Sequence, residues 1–124
     1  MTLNDALTKF DAEICNDVPE EVKIKWLSTL DMSIYKDIIL THVNPHPDSF
    51  VGYTDTTDKN TELLVPDPHS ELYFHYLAMK KDLYFSDIQK YNNNLMLYSA
   101  SYREFENFYN RNNMPLKKTD FFNA

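Results

Sequence analysis

The sequence predicts a mainly α-helical protein, an antiparallel bundle of about four helices with a long β-hairpin or extended loop between helices two and three. Apolar residues recur at helical spacing in four segments. The 124 residues, 43% of them apolar, suit a single domain with one core. The single glycine, Gly52, argues against a fold of many short strands, because their hairpins use several glycines.

The first two helices are marked by their opening residues. Thr2 and Asp5 fit a capping box, so the first helix is predicted from about Leu3 to Cys15. The second opens at residues 17–20, where a capping side chain precedes a proline. It is predicted to end near Thr41, because two prolines follow closely. Its apolar face is formed by Val22, Trp26, Leu30, Ile34 and Ile38.

An insertion at about residues 44–66 lacks helical periodicity. Two short β-prone segments, 49–54 and 61–65, flank a turn-rich tip, which predicts a hairpin from about Phe50 to Val65. The candidate partner-docking side chains of this insertion are Phe50, Tyr53, Leu63 and Val65.

The third and fourth helices are predicted to pack antiparallel across a tight corner. The third opens at Asp67-Pro68 and is apolar around so much of its circumference that it should be central. Ser86 and Gln89 fit a second capping box, so the fourth helix is predicted from Ser86 to about Arg111.

The fourth helix has the clearest periodicity in the chain. Its apolar residues alternate at spacings of three and four over three heptads: Ile88, Tyr91, Leu95, Tyr98, Tyr102, Phe105 and Tyr109. Such a seam packs inside a bundle or forms a contact between subunits, and both alternatives stay open. The aromatic members are the candidate helix-seam or subunit-contact residues: Tyr91, Tyr98, Tyr102, Phe105 and Tyr109.

A C-terminal tail is predicted for residues 114–124, after a single helical domain at residues 1–113. The adjacent Phe121 and Phe122 either fold back on the helices or anchor the tail in a partner's groove. These two residues therefore join the candidate docking residues.

The charge and the cysteine count exclude several classes. A net charge of −7 argues against sequence-specific binding of duplex nucleic acid, which needs clustered lysine and arginine. The lone Cys15 cannot build a disulfide framework, and no run approaches the ~20 apolar residues that cross a bilayer. We therefore expect a protein that is made in the cytoplasm and binds no membrane.

No catalytic, cofactor-binding or metal-binding residue is predicted. One glycine cannot form a phosphate-binding loop, and there is no Gly-x-Ser-x-Gly elbow. His42, His46 and Asp48 lie close together, but their spacing matches no metal signature. We expect a protein that is not an enzyme and that carries no cofactor.

The order of several short segments resembles that in a known family. The segments are Glu62–His69, Leu72–Tyr73, Tyr76–Ala78 and Tyr91–Asn93. The similarity extends to Val22, Lys23, Trp26 and Leu27 and to Tyr102, Phe105, Tyr109, Arg111 and Asn112. In this order the chain resembles the head-tail adaptor (head completion, or neck connector) proteins of tailed bacteriophages and Gram-positive prophages.

The resemblance implies a virion structural protein. Such adaptors form a ring of about twelve copies under the portal, which extends the DNA exit channel and provides the tail attachment surface. The implied partners are other copies of the chain, the portal protein and a tail or stopper protein of the neck. DNA passes through the channel without sequence-specific binding. The implied location is the virion neck, between capsid and tail, after synthesis in the host bacterial cytoplasm.

Two alternative functions stay open. One is an acidic host-directed phage protein, such as a DNA mimic that inhibits a nuclease, and the other is a different neck or tail completion protein. A mimic should carry rows of carboxylates at phosphate-like spacing. The second helix instead intersperses acids and lysines: Glu20, Glu21, Lys23, Lys25, Asp31, Lys36 and Asp37. This pattern favours the adaptor.

Overall fold

The computed structural model describes residues 1–43 and 49–115 of the chain. Its α-helices are α1 (Leu3–Glu13), α2 (Glu20–Ile34), α3 (Glu71–Tyr84) and α4 (Ile88–Asn112). A π-helical turn at Tyr35–Ile39 extends α2. Two short strands, β1 (His42–Val43) and β2 (Met114–Pro115), pair antiparallel. The predicted mainly helical fold is confirmed.

The N-terminus of α1 has the predicted capping box. Thr2 accepts a hydrogen bond from the Asp5 N–H at 3.1 Å, and the Asp5 carboxylate accepts one from the Thr2 N–H at 3.1 Å. The cap satisfies two backbone donors that a helix start leaves unpaired. Inward-facing apolar residues then bury one side of α1: Leu3, Ala6, Leu7 and Phe10.

Helix α3 lies at the centre of the bundle, as its apolar circumference predicts, and contacts α1, α2 and α4. It begins at Glu71, with Ser70 at the cap position, so the predicted opening at Asp67-Pro68 is three residues early. Helices α3 and α4 pack antiparallel, because residues later in the α3 segment contact residues earlier in α4. The ring of His69, just before α3, lies 4.5 Å from that of Phe108, and the ring of Tyr76 lies 5.1 Å from that of Tyr98, measured between centroids.

The corner between α3 and α4 is tight, but the predicted capping box is wrong. Ser86 has a φ of 60°, a left-handed conformation that reverses the chain, so it cannot cap the next helix. Asp87 caps α4 instead and accepts a hydrogen bond from the Lys90 N–H at 3.3 Å.

The predicted β-hairpin at Phe50 to Val65 is also wrong. In the described structure this segment has a single isolated antiparallel bridge, which joins Glu62 to Thr2. Its backbone groups bond to the start of α1: the Leu3 N–H donates to Thr61, and the Leu63 N–H donates to Met1. The segment is β-prone because its apolar residues suit a half-buried surface, and here the helices supply that surface.

The seam of α4 divides into two rows. One row is Tyr91, Tyr98 and Phe105, and the other is Ile88, Leu95, Tyr102 and Tyr109, of which the last two pack on the core. The row of Tyr91, Tyr98 and Phe105 packs on the core, and Phe105 is 1% exposed. The other row starts outside the core, since Ile88 is 57% exposed. The seam is therefore intramolecular along one row and leaves the start of the other exposed.

Paired alanine substitutions test this division. Phe105→Ala should lower the free energy of unfolding by about 3–5 kcal/mol, because it removes a fully buried ring. Ile88→Ala should cost less than about 1 kcal/mol, because more than half of this side chain already contacts water. Urea denaturation measures both values, and equal losses would contradict the division.

Candidate functional site

Three of the predicted docking residues lie inside the protein's own core. Tyr53, Leu63 and Val65 are buried, and Phe50 is half-buried against the rings of Tyr35 and Tyr53. The folded chain therefore offers no surface of Tyr53, Leu63 or Val65 to a partner. Phe121 and Phe122 lie outside the described residues, so their docking role stays a prediction.

The buried carboxylate of Asp31 joins the insertion to the bundle. It accepts hydrogen bonds from the Tyr53 hydroxyl at 2.5 Å, the Tyr73 hydroxyl at 2.7 Å and the Leu64 N–H at 3.1 Å. The Tyr73 oxygen also accepts one from the Val65 N–H at 2.9 Å. One carboxylate thus connects α2, α3 and both ends of the segment that runs from residue 53 to residue 65.

The electrostatics of this cluster are unusual because it contains no cation. In the described part of the chain, no lysine, arginine or histidine forms an ion pair with Asp31. Burial raises the pKa of the Asp31 carboxyl above its usual range, although the three hydrogen bonds act in the opposite direction. Burial beside this carboxylate also raises the pKa of Tyr53 and Tyr73, so both hydroxyls remain donors at neutral pH.

Gly52 positions the same cluster. Its φ of 81° is a left-handed conformation that favours glycine, and a Cβ there would collide with the Ser28 hydroxyl. That hydroxyl accepts a hydrogen bond from the Tyr53 N–H at 2.9 Å. The only glycine of the chain therefore lets the backbone approach α2 closely enough for Tyr53 to reach Asp31.

Sequence reasoning missed this cluster. Asp31 and Lys23 occur among alternating charges on α2, a pattern that predicts a solvated surface, yet they are 0% and 4% exposed. Lys23 is paired with Asp11 at 2.5 Å, whereas Asp31 is bonded to tyrosines distant in sequence. One signal was available, because Asp31 lies four residues after Leu27 and three before Ile34, on the apolar side of α2.

A second feature is an exposed apolar surface at the corner of α3 and α4. Among the described residues, seven of the ten exposed large apolar side chains lie between residues 83 and 97. Four of them form what we call the corner surface: Leu83, Tyr84, Phe85 and Ile88. Trp26 of α2 extends it, since its ring lies 5.8 Å from the Tyr84 ring. Contiguous exposed apolar side chains of this kind mark sites of protein association.

An open groove adjoins this surface. It is lined by Trp26, Lys80, Leu83 and Tyr84, with the Lys80 ammonium 5.9 Å from the Trp26 ring. Another groove lies farther along α4 and is lined by Tyr98, Ser99, Tyr102, Arg103 and Glu106. The predicted seam residues Tyr98 and Tyr102 thus pack on the core and also reach a groove, whereas Phe105 is fully buried.

Within residues 1–43 and 49–115, no group of three histidine, cysteine, aspartate or glutamate side chains could hold a metal ion. Cys15 is exposed. None of the described helices is long and apolar enough to span a membrane. The arrangement is suited to holding a loop and presenting an apolar surface.

Comparison of the chain with protein-family models, curated protein sequences and solved structures found no match.

Removing one hydroxyl tests the importance of the Asp31 cluster. Tyr73→Phe leaves the buried carboxylate with one donor fewer and the Val65 N–H without its acceptor, so it should lower the free energy of unfolding by about 1–3 kcal/mol. Tyr98→Phe is the matched control, because among the described residues the Tyr98 hydroxyl forms no hydrogen bond. Chemical denaturation should show a loss below about 0.5 kcal/mol for the control. If the two variants lost the same unfolding free energy, the hydrogen bonds of Tyr73 in the Asp31 cluster would add no stability.

Proposed function

We propose that the chain is a non-catalytic virion protein, a head-tail adaptor that forms a ring under the portal and extends the DNA exit channel. The resemblance in segment order motivates this proposal, and the corner surface is the structural observation that supports it. In this proposal the ring lies in the virion neck and bears the surface to which the tail attaches.

The corner surface is suited to contact with a second copy of the chain. Residues 1–71 carry 14 acidic and 5 basic side chains, whereas residues 72–115 carry 4 acidic and 5 basic ones. An apolar surface in the near-neutral part can approach the acidic part of a neighbouring copy without like-charge repulsion. A contact between two different surfaces, repeated around an axis, closes a ring if the rotation permits.

The overall charge suits a conduit for DNA. With a net charge of −7, a ring of subunits repels the phosphate backbone, so DNA can move through it without being held. The same charge is compatible with the host-directed DNA mimic. Against the mimic, the exposed charges of α2 and its π-helical turn include both signs: Glu20, Glu21, Lys25, Lys36 and Asp37. A different neck or tail completion protein would use the same kind of surface.

The deciding experiment measures the mass of the assembly in solution. We expect ring-sized particles of the purified chain, or binding to portal-bearing capsids that lack tails. Combining Phe85→Ser with Ile88→Ser should weaken assembly at least about tenfold, because burial of an exposed apolar side chain contributes about 1.5–3 kcal/mol and tenfold is about 1.4 kcal/mol. Sedimentation velocity and capsid co-sedimentation measure these outcomes.

Val51→Thr is the matched control, since Val51 is 89% exposed but lies outside the corner surface. It should assemble as the parent chain does. A parent chain that stays monomeric and ignores capsids would contradict the adaptor proposal and favour the host-directed one.

Deletion of the residues after Pro115 tests the tail separately. If Phe121 and Phe122 anchor the subunit to a neighbouring neck component, the shortened chain should stay folded but lose attachment. The expected loss is about 2–4 kcal/mol of binding free energy if both rings become buried in the complex. Circular dichroism checks the fold and capsid co-sedimentation checks attachment. Unchanged attachment would show that the tail is not an anchor.

A further inference from the structure

Residues 52–65 cross the bundle as a strap, the name that we use for this segment. In the described structure the strap contains turns, such as Thr54 to Thr57 and Asp58 to Thr61, and belongs to no named helix or strand. A segment without a hydrogen-bonded ladder of its own is held in place by its contacts with neighbouring elements. Those contacts fall into a peripheral set and a buried set.

The peripheral set involves groups that water can satisfy. Thr61 and Lys59 accept hydrogen bonds from the N–H groups of Leu3 and Asn4, each at 2.9 Å, at the start of α1. Lys59 forms a surface ion pair with Glu20 at 3.1 Å. Exposed ion pairs contribute about 0–1 kcal/mol, and N–H groups at a helix start are commonly solvated. These contacts add little to the free energy that keeps the strap closed.

The buried set centres on Asp31. Two of the three hydrogen-bond donors to its carboxylate, the Tyr53 hydroxyl and the Leu64 N–H, belong to the strap. The third donor, the Tyr73 hydroxyl, comes from α3 and stays when the strap leaves. Closing the strap also buries the apolar side chains of Leu63 and Val65, which opposes release.

The carboxylate charge works against closure. An ionised Asp31 gives up its hydration when the strap covers it, and among the described residues it gains no cation in exchange. Opening returns water to the carboxylate, whereas opening between α3 and α4 would expose Phe105 and other buried apolar side chains. Release of the strap therefore costs less than separation of α3 from α4.

We propose that the strap opens as a unit while the helices stay folded, and that the charge on Asp31 sets the open fraction. This opening of the strap is a property of the isolated chain and does not depend on the adaptor function. An open strap would present Tyr53, Leu63 and Val65, and a role for them in docking is the one consequence that rests on the proposed function.

The sign of the pH dependence follows from the two states. Burial raises the pKa of Asp31 when the strap is closed, and an open strap returns it towards the usual 3.8. Protonation of Asp31 therefore favours the closed strap. The stability that protonation adds to the closed strap is fully present below the pKa that Asp31 has in the open state. It is lost as pH rises through the pKa that Asp31 has in the closed state. The groups facing Asp31 from the strap and α3 are Tyr53, Leu64 N–H and Tyr73, and the raised tyrosine pKa values leave both phenols neutral throughout.

Amide hydrogen exchange between pH 4 and pH 7 tests the proposal, with each rate divided by its intrinsic rate. The amides of Tyr53, Leu64 and Val65 should lose protection as pH rises, by up to tenfold for each pKa unit of difference between the two states. The amide of Phe105 in α4 should not follow them. Equal protection factors for the strap and α4 at every pH, or strap protection that is independent of pH, would overturn the proposal.

Two variants separate the charge from the other contacts. Asp31→Asn removes the titrating group, so the strap amides should keep one protection factor across the pH range. Ser28→Ala removes the acceptor of the Tyr53 N–H but keeps the carboxylate. Its strap amides should therefore be less protected at every pH, while their protection changes with pH as steeply as in the parent chain. If protection in Asp31→Asn still changed with pH as in the parent chain, the proposal would be overturned. If Asp31→Asn does not fold, the parent chain and Ser28→Ala still decide, because a parent without a strap-specific slope overturns it.

Discussion

The packing of α2, α3 and the insertion depends on one buried carboxylate. A charge in an apolar interior is tolerated when hydrogen bonds replace its hydration, and Asp31 receives three. Those bonds fix where the insertion enters and leaves the core, because Tyr53 and Leu64 provide two of them. The apolar contacts of Leu63 and Val65 are not directional and would tolerate several positions of the segment. The directional bonds select one, so the carboxylate specifies the path of the chain.

Most of the helical fold could be predicted from local patterns. The capping box of Thr2 and Asp5 and the three-four spacing of α4 each follow from interactions within about one turn of helix. The predicted apolar face of α2 was right at Leu30, Ile34 and Ile38, whereas Val22 and Trp26 are only half-buried. The predicted cap of α4 was wrong because the turn between α3 and α4 needs a left-handed residue at Ser86, so Asp87 caps the helix instead. The hairpin prediction was wrong because β propensity reports suitability for a half-buried surface, which helices can also provide.

The candidate site was less predictable for a related reason. Tyr53, Leu63 and Val65 could be recognised as apolar residues in an unusual segment, but their burial depends on Asp31, whose partners are 22 to 42 residues away. Alternating charges on α2 predict a solvated face, so the sequence pointed away from the residue that holds the segment. The corner surface was not predictable either, because three of its four residues, Leu83, Tyr84 and Phe85, belong to the end of the apolar α3 segment and the corner that follows it.

The pairing of β1 with β2 has a mechanical consequence. His42 lies opposite Pro115 in this pair, and its ring packs on Tyr109 at 4.9 Å and bonds to Asn110 at 2.5 Å. These contacts join the end of α4 to the π-helical end of α2. A force applied to the chain beyond Pro115 would act first on the β1–β2 pair and be transmitted to α2, instead of separating α4 from α3 one turn at a time. The fold could thus bear force at its C-terminal end without losing its central helix pair.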